Sequence, residues 1–159
     1  MTIQTPYQYK VFSRRMGNIY ELHRHEREIA TFYSAHFQDS LPEKQLAAVS
    51  SSIEKEWVGA VVSFDGLSPV GFMSFHQKKD NLAMFQVGFA FVEKAYRHKK
   101  IWEKMSGLVE EEVRYMGGKQ LNREIDVENE RLVNHLLREG YYLFSGSNET
   151  DYHPMAKRL

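Results

Sequence analysis

Cysteine is absent from the 159 residues. That excludes disulfides, thiolate zinc sites and a cysteine nucleophile, and leaves the redox compartment undecided. Net charge is absent too: 21 Lys plus Arg balance 21 Asp plus Glu, so the global field expected of a nucleic-acid binder is missing. No window approaches the apolar length that spans a bilayer. The stretch "MTIQTPYQYKVF" holds no apolar run followed by a small-residue cleavage site. With neither a span nor a signal peptide in view, the expected location is the cytoplasm and no membrane partner is expected. Repeats, low-complexity tracts and linkers are lacking as well. Residues 1–159 are therefore expected to form a single domain, large enough to bury about two-thirds of the surface its unfolded chain exposes.

What is present is core-forming material. Aromatics make up 13% of the chain, with ten Phe, nine Tyr and two Trp. Residues Gln8–Arg15 read as a first strand, and Asn18 as a helix cap. From Ile19 to Phe37 the apolar positions Ile19, Leu22, Ile29, Tyr33 and Phe37 fall on one helical stripe. "QDSLPEKQ" ends that helix, and Leu46–Ile53 reads as a shorter second one. "WVGAVVSFDGLSPVGFMSFHQ" is two β-rich runs around Asp65-Gly66 and Pro69, a hairpin. "NLAMFQVGFAFVE" is a third strand, in which Gly88 marks a bulge or a close backbone approach. A helix follows Arg97, with Ile101, Met105, Val109, Val113 and Met116 on one side and Gly117-Gly118 at its end. "KQLNREIDV" is a strand, and "NERLVNHLLREG" a helix opened by Asn129 and closed by Gly140. "YYLFSG" and "DYHPMAKRL" are two final strands, with Pro154 pointing to an edge or bulge. The order β-α-α-β-β-β-α-β-α-β-β is that of a mixed α/β chain with helices packed on one twisted sheet.

Three pieces of the second half carry a family likeness. "FVEKAYRHKKIWEKM" is similar to a strand-to-helix segment in which Tyr-Arg precedes a loop of the form Arg/Gln-x-x-Gly-x-Gly/Ala. "DVENERLVNHLLREGYY" is similar to a later strand-loop-helix in which Asn opens a helix ending in Gly plus an aromatic. "YHPMAKRL" is similar to a closing strand. Together, and with the element order, these resemble the GNAT superfamily of acyl-CoA-dependent N-acyltransferases. The match runs over about the last seventy residues, whereas the first half agrees in element order alone. The resemblance implies an α+β domain whose central sheet, mixed but mostly antiparallel, has six to seven strands and about four flanking helices. It implies a splayed strand pair holding pantetheine by backbone hydrogen bonds, with the pyrophosphate on the N–H groups of the following helix start. An amine then attacks the thioester carbonyl, helped by a general base and by a general acid, often a Tyr on the later helix.

The chain departs from that pattern at two places. With Arg97 at the family's Arg/Gln, the glycine positions hold Lys100 and Trp102. Two readings stay open for this turn. Arg97, His98, Lys99, Lys100 and Lys104 hold phosphates through side-chain charge, or "RHKK" is a solvated basic turn and Trp102 a core or interface aromatic. The second departure is Leu136, which occupies the family's tyrosine position and cannot donate a proton. Carried over from the resemblance, the cofactor-binding candidates are Phe91, Val92, Arg97, His98, Lys99, Lys100, Trp102 and Asn129.

Acid–base candidates are fewer. Gln86 stands where a carboxylate would be convenient, and an amide takes no proton at neutral pH. His76 titrates near neutrality, against the bland reading of a hydrogen-bonded strand-end histidine. Glu26 interrupts the apolar stripe between Leu22 and Ile29, either as a group facing an amine or as a helix-face carboxylate paired with His23 or Arg27. Tyr142 is the candidate acid, against a core or cleft role for both Tyr141 and Tyr142. His23 and His25 sit two apart on different sides of a helix, so no metal site is expected. Two functional classes follow. One is an acetyl-CoA-dependent transferase acting on a small-molecule or protein amine. The other is a catalytically silent module of the same fold that binds a protein partner or a second copy of itself. The basic turn beside Tyr96 and Trp102 is the sole argument for a nucleic-acid partner, and the neutral chain weighs against it.

Overall fold

The computed structural model describes residues 7–36, 42–97, 99–126, 129–143 and 152–159. The chain opens with strand β1 (Tyr7–Ser13), a 3-10 segment (Ile19–His25), and helices α1 (Glu26–His36) and α2 (Pro42–Lys55). Strands β2 (Gly59–Asp65), β3 (Ser68–Gln77) and β4 (Met84–Val92) follow. A single 3-10 turn (Lys94–Tyr96) leads to α3 (Ile101–Tyr115), then β5 (Gln120–Asp126), α4 (Glu130–Arg138), β6 (Tyr142–Leu143) and β7 (Tyr152–Arg158). The strands form one seven-stranded sheet in the order β1-β2-β3-β4-β5-β7-β6. All its neighbours are antiparallel except β4 and β5. This is the expected mixed, mostly antiparallel sheet.

Each face of the sheet carries a helical layer. Alternation along β2 sends Val61 to one side and Ala60 and Val62 to the other. The first side packs under α3 and α4, through Met105, Val109, Val113, Val133 and Leu136. The second packs under α1 and α2, through Leu22, Ile29, Val49, Ile53 and Trp57.

Three local readings need adjustment. The first long helix is not continuous: its Ile19–His25 stretch is 3-10, and α geometry begins at Glu26. Ile19, Leu22 and Ile29 are nevertheless buried as the stripe requires; Phe37 lies outside the described residues. Asn18 does not cap. Its Oδ1 accepts from Ser13 N–H (2.7 Å) and its Nδ2 donates to Val11 C=O (3.1 Å), so the amide closes the turn after β1. The second helix starts earlier than its apolar residues show, at Pro42, whose missing N–H costs nothing in a first turn. Elsewhere the local signals hold. Gly66 supplies positive φ at the β2–β3 turn, and Asn129 caps α4 by accepting from Leu132 N–H at 3.2 Å. Pro154 pairs with Glu124 of β5, while β6 meets β7 at Met155 and Ala156, so among the described residues Pro154 has a partner on β5 alone.

Two irregularities of β4 shape the centre of the molecule. Val87 opposes Phe75 and Ala90 opposes Met73, so Gly88 and Phe89 together face the single residue Ser74. This is the bulge that Gly88 signals. It is fastened by Phe89 N–H donating to Ser74 Oγ at 2.9 Å. The extra residue reverses the phase of the strand: Phe85 and Val87 point to the α3 side, Phe89 to the α1/α2 side, and Val92 to the α3 side again. Second, β4 pairs with β5 only over Met84–Gln86 and Gln120–Asn122. Beyond that, Val87–Val92 runs on without a partner on β5, while β5 stays paired to β7 as far as Asp126. The sheet is split into a V.

Candidate functional site

The V has a mouth and an apex. At the mouth, β4 passes through the 3-10 turn into α3, whose first-turn N–H groups lack intrahelical partners. Lys100, the residue before α3, adopts φ 62 and ψ 17 and makes no side-chain cap. Among the described residues it is the one non-glycine with positive φ, a conformation that a Cβ disfavours and glycine accepts freely. The backbone thus takes a glycine-like geometry at a position that carries a lysine side chain. Lys99 and Lys100 are exposed. Arg97 turns back instead, donating from Nε to Val92 C=O at 3.0 Å and lying 5.9 Å from the Phe91 ring. Phe91 stacks on Phe32 at 4.8 Å, on the α1/α2 side. His98 lies outside the described residues.

Trp102 turns inward. It is partly buried against the α3-side core, its Nε1 is enclosed with no acceptor among the described residues, and its ring lies 5.5 Å from the Arg123 guanidinium. Arg123 is the first residue of β5 beyond the last β4 pair.

The apex presents a recess on the opposite face. Gly88 is exposed at the bulge, and a Cβ there would sit 3.0 Å from Ser74 Oγ, 3.7 Å from His76 Nδ1 and 3.8 Å from Trp57 Nε1. Three polar side chains converge on the space left by one hydrogen. His76 Nδ1 is buried with no hydrogen-bond partner among the described residues. Burial holds the imidazole below its ordinary value. Glu56 and Glu124 pull it back up, and Lys78 pushes it down. His76 is therefore neutral at physiological pH, with a ring nitrogen free to take a proton. It pairs across strands with Gln86, which pairs with Asn122, so one polar row crosses the last closed rung of the V.

The remaining candidates lie apart from this recess. Glu26 opens α1 and is held by His23, whose other nitrogen meets Glu54. Tyr142 is 39% exposed on β6, separated from β5 by β7. Leu136 is fully buried in the α3-side core. Sequence reasoning passed over Ser74, Trp57 and Arg123, whereas the core role it gave Tyr141 holds, that ring being buried on the α3 side. For Arg123 a signal existed: it shares the inward phase of Leu121 and Ile125 on β5, where a charge is out of place.

No known family profile and no curated protein matches the sequence. Solved structures do. A GNAT-family acetyltransferase from Staphylococcus aureus superposes with a TM-score of 0.72 at 12% identity, covering 96% of this chain and 99% of that one. An aminoglycoside 6'-N-acetyltransferase complexed with coenzyme A gives 0.67 at 16%, covering 84% and 89%. The PaiA N-acetyltransferase of Thermoplasma acidophilum in complex with coenzyme A gives 0.61 at 11%, covering 96% and 99%.

The chain has the GNAT fold.

Within that fold the split of β4 from β5, the β4 bulge and the α3 start lie in the relation described above. No group of three metal-ligating side chains occurs among the described residues, and none of their helices is long and apolar enough to cross a membrane.

Proposed function

We propose that this chain is an N-acyltransferase that moves a short acyl group, acetyl in the simplest case, from an acyl-CoA to an amine. The observation that carries the reading is the unpartnered Nδ1 of His76 beside the side-chain-free Gly88, at the point where β4 leaves β5. The acyl-CoA supplies an activated thioester; the chain supplies position and proton transfer. The α3 start, in its glycine-like backbone geometry, offers N–H groups and a dipole to phosphate oxygens, with Lys99 and Lys100 adding charge. The unpaired edge of Val87–Val92 leaves backbone groups for a pantetheine arm. An amine entering over Gly88 comes within reach of His76; as its nitrogen bonds to the thioester carbonyl carbon the C–S bond breaks, His76 takes the amine proton, and coenzyme A leaves as a thiolate that solvent protonates. Glu56 and Glu124, close enough to act on His76, suit an acceptor that arrives as a cation.

One observation favours a second reading. The Trp102 ring and the Arg123 guanidinium occupy the α3 side of the split, as they would in a silent module that has filled its own groove. Calorimetric titration with acetyl-CoA separates the two. The transferase reading expects saturable binding, with stabilisation of about 2.7 kcal/mol at a hundred times the dissociation constant. A flat titration at millimolar acetyl-CoA ends it and leaves the silent module.

A further inference from the structure

The side chain of Arg123 is 2% exposed, yet no carboxylate among the described residues lies within ion-pair distance of it. The two acids buried among the described residues are engaged elsewhere: Glu112 with Arg15, and Glu110 with Lys157 at 2.6 Å. Arg123 has lesser company. Nη2 donates to Ser106 Oγ at 2.6 Å and lies 3.7 Å from Met73 Sδ, while the rings of Trp102 and Tyr141 sit 5.5 and 5.2 Å from its central carbon. Its Nε and the Trp102 Nε1 are buried with no hydrogen-bond partner among the described residues, and the buried Tyr141 hydroxyl has Arg123 itself as its polar neighbour. A charge buried without its counter-ion is costly, and a hydroxyl and two ring faces recover only part of that. A leucine in this phase of β5 would have suited the core, as Leu121 and Ile125 do. An arginine there is short of an anion.

We propose that Arg123, with the Trp102 N–H and the Tyr141 O–H, is the receptor for one ligand carboxylate at the apex of the split. The single uncompensated charge matches a monoanion, and the planar guanidinium fork matches a carboxylate. Lys157 also lies near Tyr141, but Glu110 already neutralises it. The location is set by the strands. Arg123 follows Asn122, and the guanidinium reaches Met73, the partner of Ala90 just past the bulge. It therefore lies on the α3 side of the apex, across the sheet from the recess over Gly88. Trp102, partly exposed at the start of α3, is the wall that an incoming group turns aside. The carboxylate comes from one of two sources: the far end of a dicarboxylic acyl group on a thioester, which rests on the transferase reading, or a free acid, which does not.

Thermal unfolding in the presence of succinate, succinyl-CoA and acetyl-CoA distinguishes these sources. Wild type is expected to gain stability from succinyl-CoA with roughly tenfold or greater preference over acetyl-CoA, or else from succinate alone. Arg123→Leu is expected to lose that gain while melting no lower than wild type, because it removes an unpaired buried charge. Trp102→Phe, which keeps a ring and deletes the N–H, is expected to weaken the carboxylate-dependent shift, and serves should the leucine variant fail to fold. A response to acetyl-CoA that a terminal carboxylate does not improve would keep the transferase reading and overturn this site. A response to succinate without any to either thioester would do the reverse. A carboxylate shift that survives in Arg123→Leu, or no carboxylate shift in wild type, overturns the proposal.

Discussion

His23 Nδ1 lies 2.8 Å from Glu26 Oε2, and on the far side of the same ring Nε2 lies 2.7 Å from Glu54 Oε1. The imidazole is a bridge between the start of α1 and the end of α2. The hydrogen bond to Glu26, reinforced by Glu54, raises His23 above the ordinary histidine value despite some loss of solvent. The carboxylate that interrupts the apolar stripe of the first helix is thus committed to a structural contact.

That contact has a pH signature. A histidine whose folded value is raised contributes stability that is fully present below about pH 6.5 and is lost as pH climbs through the folded value. His25 and His76 act oppositely. Burial lowers both, so their contribution is present above about pH 6.5 and is lost as pH falls toward their folded values. Stability should therefore form a dome centred near pH 6.5. His23→Asn should flatten its alkaline side by no more than about 1 kcal/mol, because the bridge faces solvent, and leave its acid side unchanged. Urea unfolding at stepped pH measures both. An alkaline slope that persists in the variant would rule out His23 as its source.

Lys100 holds a left-handed conformation at φ 62. A side chain there costs roughly 1–2 kcal/mol, part of which glycine gives back in unfolded-state entropy. Lys100→Gly should stabilise the fold by about 0.5–1 kcal/mol. Should acyl-CoA affinity fall in the same variant, lysine is retained at this strained position for its charge; unchanged affinity assigns phosphate binding to the backbone. Equilibrium denaturation and a CoA titration give the two answers.

What could be read from the sequence follows from how local each signal is. Element order was legible because turn residues and apolar period are short-range: Asp65-Gly66, Asn129 and Gly140 each act within a few residues. The bulge was legible because glycine inside an apolar strand is costly without a reason. The V was reached only through resemblance, since a parallel pair that closes at Gln86–Asn122 and then opens depends on strands joined across α3. The recess over Gly88 was not legible. It joins Ser74 and His76 of β3, Gly88 of β4 and Trp57 from the end of α2, and nothing along the chain shows that Trp57 comes there. Of the two readings of Glu26, the pairing with His23 holds, three residues away and so legible; only the second partner of that ring, Glu54 on another helix, lay beyond local reading.

The recess makes a joint prediction for its floor and its base. Gly88→Ala would put a methyl group 3.0 Å from Ser74 Oγ, an atom already held by Phe89 N–H. The expected stability loss is about 1 kcal/mol, with a much larger loss of kcat/KM for the amine because the opening is filled. His76→Gln should lower kcat by roughly 10²–10⁴-fold and leave the KM for acyl-CoA unchanged. Because His76 is held below its ordinary value, the acid limb of the wild-type rate profile should fall below pH 6.5 and vanish in the variant. A wild-type limb above pH 7, or one that persists in His76→Gln, would assign the base elsewhere.

Trp102 separates the transferase from the silent module most directly. Its ring packs on the α3-side core and covers the Arg123 guanidinium. Removing it leaves a cavity and places glycine in the first turn of a helix. Trp102→Gly should therefore cost about 2–4 kcal/mol, less than a fully buried tryptophan because one side already meets solvent. The decisive readout is affinity at matched folded fraction. If the groove serves a ligand, deleting the ring leaves acetyl-CoA binding intact or tightens it, since the indole no longer has to move. If the groove has been filled to make a rigid scaffold, the variant loses stability and gains no affinity for acetyl-CoA or CoA. Calorimetry on both proteins below the melting temperature of the variant gives the comparison, and weaker CoA binding by Trp102→Gly would instead make the indole a contact for the ligand.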